Sequence, residues 1–351
     1  MPDIAVALNR MLDRVASFLL TMSFPKFVGL VLTAAVLRNG LWVIPNFSLH
    51  RLAATNPFVN PIPDDPLGHY VLYSPLAHLI AHAAHMYGSR ALFLAYHGLL
   101  TFGGMVALLY LTRRLQGDAA ARWLGVAFVA LPISGDLLMW LGNVDIYTFL
   151  LMTLLVLVRN PALACALAVA LGFNHFEQGL LAAGSVSVFQ WLVQERSRVA
   201  IVLQMLGVLA GKALLSFWFI ATGMQVSEGR ILHVITRGFG VLANGLLTFQ
   251  AAAGSAFSAL WPVMIVAVWE LWRQNRKAGM WTVAALAALV VPGMFIALDT
   301  SRVYAMITWP LVFALLLWTV SVPFSKDPLL SQRLLAITAI SCILVPQLMV
   351  W

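Results

Sequence analysis

Charge is the scarcest property of this sequence. Asp, Glu, Lys and Arg together make up 10% of its 351 residues, where soluble domains carry roughly 25%. With 62% of the residues hydrophobic, a soluble fold could not hide the apolar surface, so the surrounding solvent has to be lipid. Cysteine is almost absent as well. Cys165 and Cys342 both fall in apolar runs and read as small buried hydrophobes, which excludes a disulfide framework or a cysteine metal site. The chain also lacks the alternating polarity over about ten residues that marks membrane barrel strands. There is no short-period repeat, no low-complexity tract and no pattern of a cleavable leader. No stretch is polar enough to stand as a separate soluble domain.

What is present is a succession of continuous apolar runs. They predict an all-α polytopic bundle of about eleven spans, at 27–45, 90–112, 121–140, 145–158, 161–173, 178–194, 199–220, 250–272, 279–297, 303–322 and 333–350. Ahead of them, residues 3–22 set Ile4, Leu8, Val15 and Leu19 on one side, with Asp3, Arg10, Asp13 and Arg14 elsewhere. That suits an amphipathic helix on the membrane surface. We divide the single membrane domain into this helix (1–25), a first module (26–220) and C-terminal helices (221–351).

The net charge of +8 would raise nucleic acid as a partner in a soluble protein. Here the positive-inside rule accounts for it, and no nucleic acid is implied. Arg10, Arg14, Lys26, Arg113, Arg114, Arg122, Arg159, Arg196, Arg198, Arg273, Arg276, Lys277, Lys326 and Arg333 all fall on one side when the N-terminus is cytoplasmic. The segment 72–87 would reverse every later cluster if it crossed. Ser74-Pro75 is a helix-start signal, and His78, His82 and His85 share one face. We read an interfacial helix in the first outer loop. The histidines make a polar stripe, or a metal site through their four-residue spacing.

The same topology gathers ionisable residues on the outer face. The first loop, 46–73, carries Pro61, Pro63, Asp64, Asp65, Pro66, His69, Tyr70 and Tyr73. The second has Asp136, Asn143 and Asp145, and the third reads Asn174-His175-Phe176-Glu177-Gln178. The fourth, about 221–249, holds Glu228, Arg230, His233 and Arg237, and the fifth Asp299, Thr300, Ser301 and Arg302. Acidic residues do little for topology, so an outward hydrophilic cavity is the expectation. Carboxylates beside arginines and histidines suit acid/base chemistry next to a phosphate. Pro63-Asp64-Asp65-Pro66 reads as a paired-carboxylate site or as a plain turn. Asp299 and Arg302 read as a phosphate site or as an N-cap with a snorkelling arginine. Arg230 and Arg237 could hold a lipid phosphate or face water. The third loop is a cavity wall or only a connection. Arg38 and Lys212 lie inside predicted spans, where charges are paired and often functional.

In layout the chain resembles the GT-C superfamily of polytopic glycosyltransferases, which includes protein mannosyltransferases and the aminoarabinose transferase of lipid A. Four features carry the resemblance in order, over roughly residues 25–195. A first span leads to an acidic outer loop at Asp64-Asp65. Tyr70-Val71-Leu72-Tyr73-Ser74-Pro75-Leu76 follows as a juxtamembrane segment. A span ends at Leu111-Thr112-Arg113-Arg114-Leu115. Leu131-Pro132 then runs to Trp140-Leu141-Gly142-Asn143-Val144-Asp145. The resemblance implies metal-independent, inverting transfer of a sugar from a polyprenyl-phosphate carrier to a glycan, lipid or protein acceptor. The site would face the periplasm from a bacterial inner membrane. It implies Asp64 or Asp65 as base and no cofactor. His69, Tyr70, Asp145, His175, Glu177, Arg230, Arg237, Asp299 and Arg302 become the candidate substrate contacts. An envelope polysaccharide polymerase or ligase using arginines, a transporter or flippase of lipid-linked substrates, and a non-catalytic subunit remain open.

Overall fold

A computed structural model describes residues 2–43, 47–65, 68–194, 196–227, 240, 243, 246–247, 254–296 and 300–345. Side chains at 2, 3, 5, 290–296, 300–302 and 304 are not described. Among the described residues the fold is helical throughout. The single β contact is an isolated bridge between Val43 and Leu141.

The helices are α1 (Pro2–Thr21), α2 (Phe24–Asn39), α3 (Phe47–Thr55), α4 (Pro75–Ala83), α5 (Arg90–Gln116), α6 (Asp118–Ala130), α7 (Pro132–Met139) and α8 (Asp145–Leu157). They continue as α9 (Pro161–Asn174), α10 (Phe176–Leu192), α11 (Arg198–Thr222), α12 (Trp261–Gln274), α13 (Arg276–Ile296), α14 (Thr300–Ser321), α15 (Pro323–Lys326) and α16 (Pro328–Leu344). Within the described residues, each of the eleven predicted runs overlaps one of these helices or a broken pair. By length and composition four described helices can cross a membrane, and up to six if two bent pairs each count as one span.

Local chemistry sets the boundaries. Ser89 caps α5 by accepting from the Leu92 N–H at 3.1 Å. Asn160 caps α9 through the N–H groups of Ala162 and Leu163, with Pro161 in the first turn. Gly223, at φ +64°, closes α11 in a left-handed conformation that suits glycine. Pro132 forces Leu131 into an extended conformation (φ −92°, ψ 155°), which breaks α6 from α7 at 67°.

Two stretches differ from the sequence reading. Residues 47–55, read as loop, form α3, whose Ala53 and Ala54 are buried. The helix expected over 72–87 is shorter: a 3-10 turn (Gly68–Tyr73) leads into α4, and the chain turns at His85, φ +56°. His85 therefore leaves the face it was expected to share.

The core is built around α14. Its residues from Ala305 to Leu317 are all buried, and it packs on α6, α7, α8, α10, α12 and α13. Pro310 is tolerated within it, as prolines are in helices surrounded by other helices. α9 and α11 form the closest helix pair. A Cβ on Gly172 would collide with the Val208 carbonyl, and one on Gly211 with the Val169 carbonyl. Ala164, Ala168 and Gly172 thus let two backbones approach, the packing that small residues permit between membrane helices.

One end of the bundle is basic. The α1–α2 elbow, the α5–α6 turn and the start of α16 meet there, through Arg122 on Leu19 and Met22, Trp123 on Ser331, and Asp13 near Arg333. The other end carries α3, α4, the 3-10 turn and the loops before α8 and α10.

Candidate functional site

At that second end the first three of the connections predicted to lie together, and residues 221–227 of the fourth, meet among the described residues. Asn174, fully buried, closes α9. Its Nδ2 donates to Thr148 Oγ1 on α8 at 3.2 Å, and its Oδ1 accepts from the Ala77 N–H at the start of α4, at 3.3 Å. The strand-like stretch after α2 joins the α7–α8 connection. Trp42 N–H donates to the Leu138 carbonyl (3.1 Å) and Leu141 N–H to that of Trp42 (3.2 Å).

The first loop clasps the end of α11. The Ser227 N–H donates to His69 Nδ1 at 2.8 Å, so the neutral ring carries its proton on Nε2, 3.0 Å from the Ile62 carbonyl. Asn60 donates to the Gln225 carbonyl at 2.9 Å, and the Tyr73 hydroxyl to that of Ser227 at 2.8 Å. Val71 and Leu72 pack beneath this clasp with Ala53 and Met224. His69 is buried with both nitrogens at main-chain groups, so the structure uses it to hold the loop.

The two loop carboxylates are placed differently. Asp65 completes a turn: its Oδ1 accepts from the Gly68 N–H at 3.0 Å and its own N–H reaches the Ile62 carbonyl. Asp64 is exposed and has no hydrogen-bond partner among the described residues. Tyr70 is half-buried, edge-on to His50.

Lys212 is a cation within a long apolar helix that reaches this region. It leaves α11 half-buried and faces two aromatic rings, Phe176 at 5.2 Å and Tyr73 at 6.0 Å from the centroid. No carboxylate among the described residues forms an ion pair with it. Phe176 opens α10, and next to it His175 Nδ1 lies 3.7 Å from Glu177 Oε2. Glu177 sits in the first turn, where the helix dipole favours negative charge. Asp145, buried at the start of α8, accepts from Asn143 Nδ2 at 2.8 Å.

Other candidates fall elsewhere. Asp136, read as a loop residue, lies within α7 and is fully buried. Arg230, Arg237 and Asp299 are outside the described residues. Arg302 belongs to α14, its side chain not described. Arg38 donates to the Cys342 carbonyl and, at 3.3 Å, to Ser258 Oγ, so it joins α2 to the C-terminal helices.

Sequence reasoning did not single out His50. From α3 its Nδ1 meets His78 Nε2 of α4 at 3.3 Å, and both rings are buried. Burial, aided by His97, pushes the His78 pKa down to about 3. His82 instead contacts the Ala54 carbonyl at 3.0 Å. The metal expectation finds no group of three or more possible ligands among the described residues. No short-range signal marks the His50–His78 pair, because 28 residues separate them. The chain matches no family model, no curated protein and no solved structure.

Proposed function

We propose that this chain is a membrane glycosyltransferase that moves a sugar from a polyprenyl-phosphate carrier to an acceptor hydroxyl at the extracytoplasmic face. The observation that carries this reading is the meeting, at one end of a helical bundle, of an acidic loop and an intramembrane lysine. Lys212 is held between Tyr73 and Phe176, and Tyr73 belongs to the loop that bears Asp64. That arrangement suits a carrier lipid, whose tail stays in the bilayer while its phosphate reaches the interface.

The roles follow from the contacts. Asp65 is engaged by Gly68, so Asp64 is the base. The acceptor oxygen attacks the anomeric carbon and its proton passes to the Asp64 carboxylate. The bond from that carbon to the phosphate oxygen breaks, the configuration inverts and polyprenyl phosphate leaves. Lys212 stabilises the leaving charge, joined by Arg302 at the start of α14 and by Arg230 and Arg237. Glu177, His175, Asp145 and Tyr70 position the sugar and acceptor. No metal or cofactor enters. The topology that belongs to this reading has eleven membrane-embedded segments with the N-terminus cytoplasmic. α8 and α9, at 13 and 14 residues, rise about 20 Å, short of the roughly 30 Å hydrocarbon core. α8 is shielded by the helices around it, whereas α9 keeps part of its first turns exposed, Leu163 at 50%.

The test is transfer from polyprenyl-phosphate sugars by the reconstituted full chain. Asp64→Asn lowers kcat about 10²–10⁴-fold, the range of a general base, while Asp65→Asn affects mainly stability. Lys212→Met weakens carrier use and Lys212→Arg restores part of it. Full activity in both Asp64→Asn and Asp65→Asn overturns the proposal and favours an arginine-based polymerase or ligase.

A further inference from the structure

The surface of α1 holds a feature that sugar transfer does not use. At 100° per residue, Ile4, Leu8, Met11, Val15 and Phe18 fall within an arc of about 80°. Val15 is half-buried beside Leu12 and Ala16, and the rest of the stripe is uncovered: Ile4 is 73%, Leu8 50%, Met11 44% and Phe18 61% exposed. A second apolar face, about a quarter-turn away, holds Leu12, Ala16 and Leu19. It is buried, with Leu12 and Ala16 packed on Ala336, Ile337 and Ile340 of α16. The helix thus has two apolar faces, and the bundle covers one.

The attitude of α1 is fixed. It turns 116° from α2, so where α2 runs along the bilayer normal α1 lies near the membrane plane. Buried Arg122 donates to the carbonyls of Leu19 and Met22 and locks the elbow. Arg10 and Arg14 are exposed on the far side of the uncovered stripe. Asp13 is drawn toward Arg333, at 3.7 Å. Exposed Lys26 adds charge at the elbow, as does Arg113, which lies over Phe24.

We propose that α1 is a recognition helix for anionic phospholipid: its uncovered stripe enters the acyl layer while Arg10 and Arg14 bind lipid phosphates. The order around the helix is protein-packed, apolar, then basic, which matches a leaflet seen edge-on. A second copy fits worse, because two such faces would bring Arg10 and Arg14 against like charge. Near an anionic surface each arginine contributes roughly fivefold in partitioning. The inference needs α2 in the bilayer but not the proposed transfer reaction, so the two fail separately.

The test uses the full chain with Cys165→Ala and Cys342→Ala, and Leu8→Cys carrying a polarity-sensitive fluorophore. It is placed in nanodiscs of phosphatidylcholine alone or mixed with phosphatidylglycerol. The expected result is a blue-shifted emission, quenched by brominated acyl chains, that strengthens with phosphatidylglycerol. Arg10→Gln with Arg14→Gln removes about 25-fold of that preference, and Arg10→Lys with Arg14→Lys keeps it. A label open to aqueous iodide in both lipids overturns the proposal. So does a preference unchanged in the glutamine variant, or quenching that follows protein density in place of lipid composition. Matching thermal unfolding of the variants excludes misfolding as the cause.

Discussion

Several arginines of this chain act on helix ends. Arg122 donates to the carbonyls of Leu19 and Met22 at the close of α1, and Arg196 to Val158 at the close of α8. Arg38 reaches Cys342 near the close of α16. The last carbonyls of a helix have no partner inside it, and the dipole there favours a cation. Arg122 is the strongest case, because it is buried and also pairs with Asp118. Arg122→Met leaves two carbonyls without a donor in a dry elbow. It should cost about 1–3 kcal/mol, read as a lower midpoint of thermal unfolding in detergent. Arg122→Lys should recover only part, since the three donors of an ammonium sit on one nitrogen and cannot span acceptors that Arg122 reaches with Nε, Nη1 and Nη2. An unchanged midpoint in Arg122→Met refutes the clamp. In the sequence Arg122 and Arg196 read as topological charge and Arg38 as a charge within a span. Their acceptors were not legible there, because Leu19 and Arg122 are brought together only by folding.

At the scale of elements, the first loop is a packed layer. α3 and α4 are joined by His50 and His78, with Arg51 holding the Tyr87 carbonyl at 3.0 Å. A neutral pair can share one N–H, whereas a doubly protonated pair has two facing donors and repels. His78 has a folded pKa depressed to about 3 by burial and by His97 of α5. Its contribution is therefore fully present above the unfolded value of about 6.5 and is lost as pH falls toward 3. Between those limits each unit of acidification should favour opening of the α3–α4 layer by up to tenfold. Hydrogen exchange of residues 47–55 and 75–83, compared at pH 7 and 5, measures it. His78→Phe should flatten the dependence, and a profile that stays steep in that variant counts against the histidine pair. α9 and α11 make the complementary point. Their small residues are readable as a spacing, but only the backbone approach at Gly211 explains why neighbouring Lys212 faces Tyr73 and Phe176.

At the scale of the molecule, the two ends differ in charge. The basic turns gather at the end holding the α1–α2 elbow, and the acidic loop at the other. In sealed vesicles of a Cys165→Ala, Cys342→Ala chain, an impermeant maleimide should label Asp64→Cys from one side. It should label Arg114→Cys and Arg276→Cys from the other. Labelling of Asp64→Cys and Arg114→Cys from the same side would refute the proposed topology.

Most helix positions, the amphipathic pattern of α1 and the placing of Asp64, Asp65, Asp145 and Glu177 in loops or at helix starts followed from the sequence, because apolar run length and local capping chemistry act over a few residues. Folding alone decided that Asp65 and His69 brace a turn, that Asp136 lies inside α7, and that His50 finds His78. It also decided that Lys212 faces aromatic rings and that one apolar face of α1 stays bare. Each of those depends on side chains far apart in the chain, and close packing, which has no short-range sequence signature, chooses which of them meet.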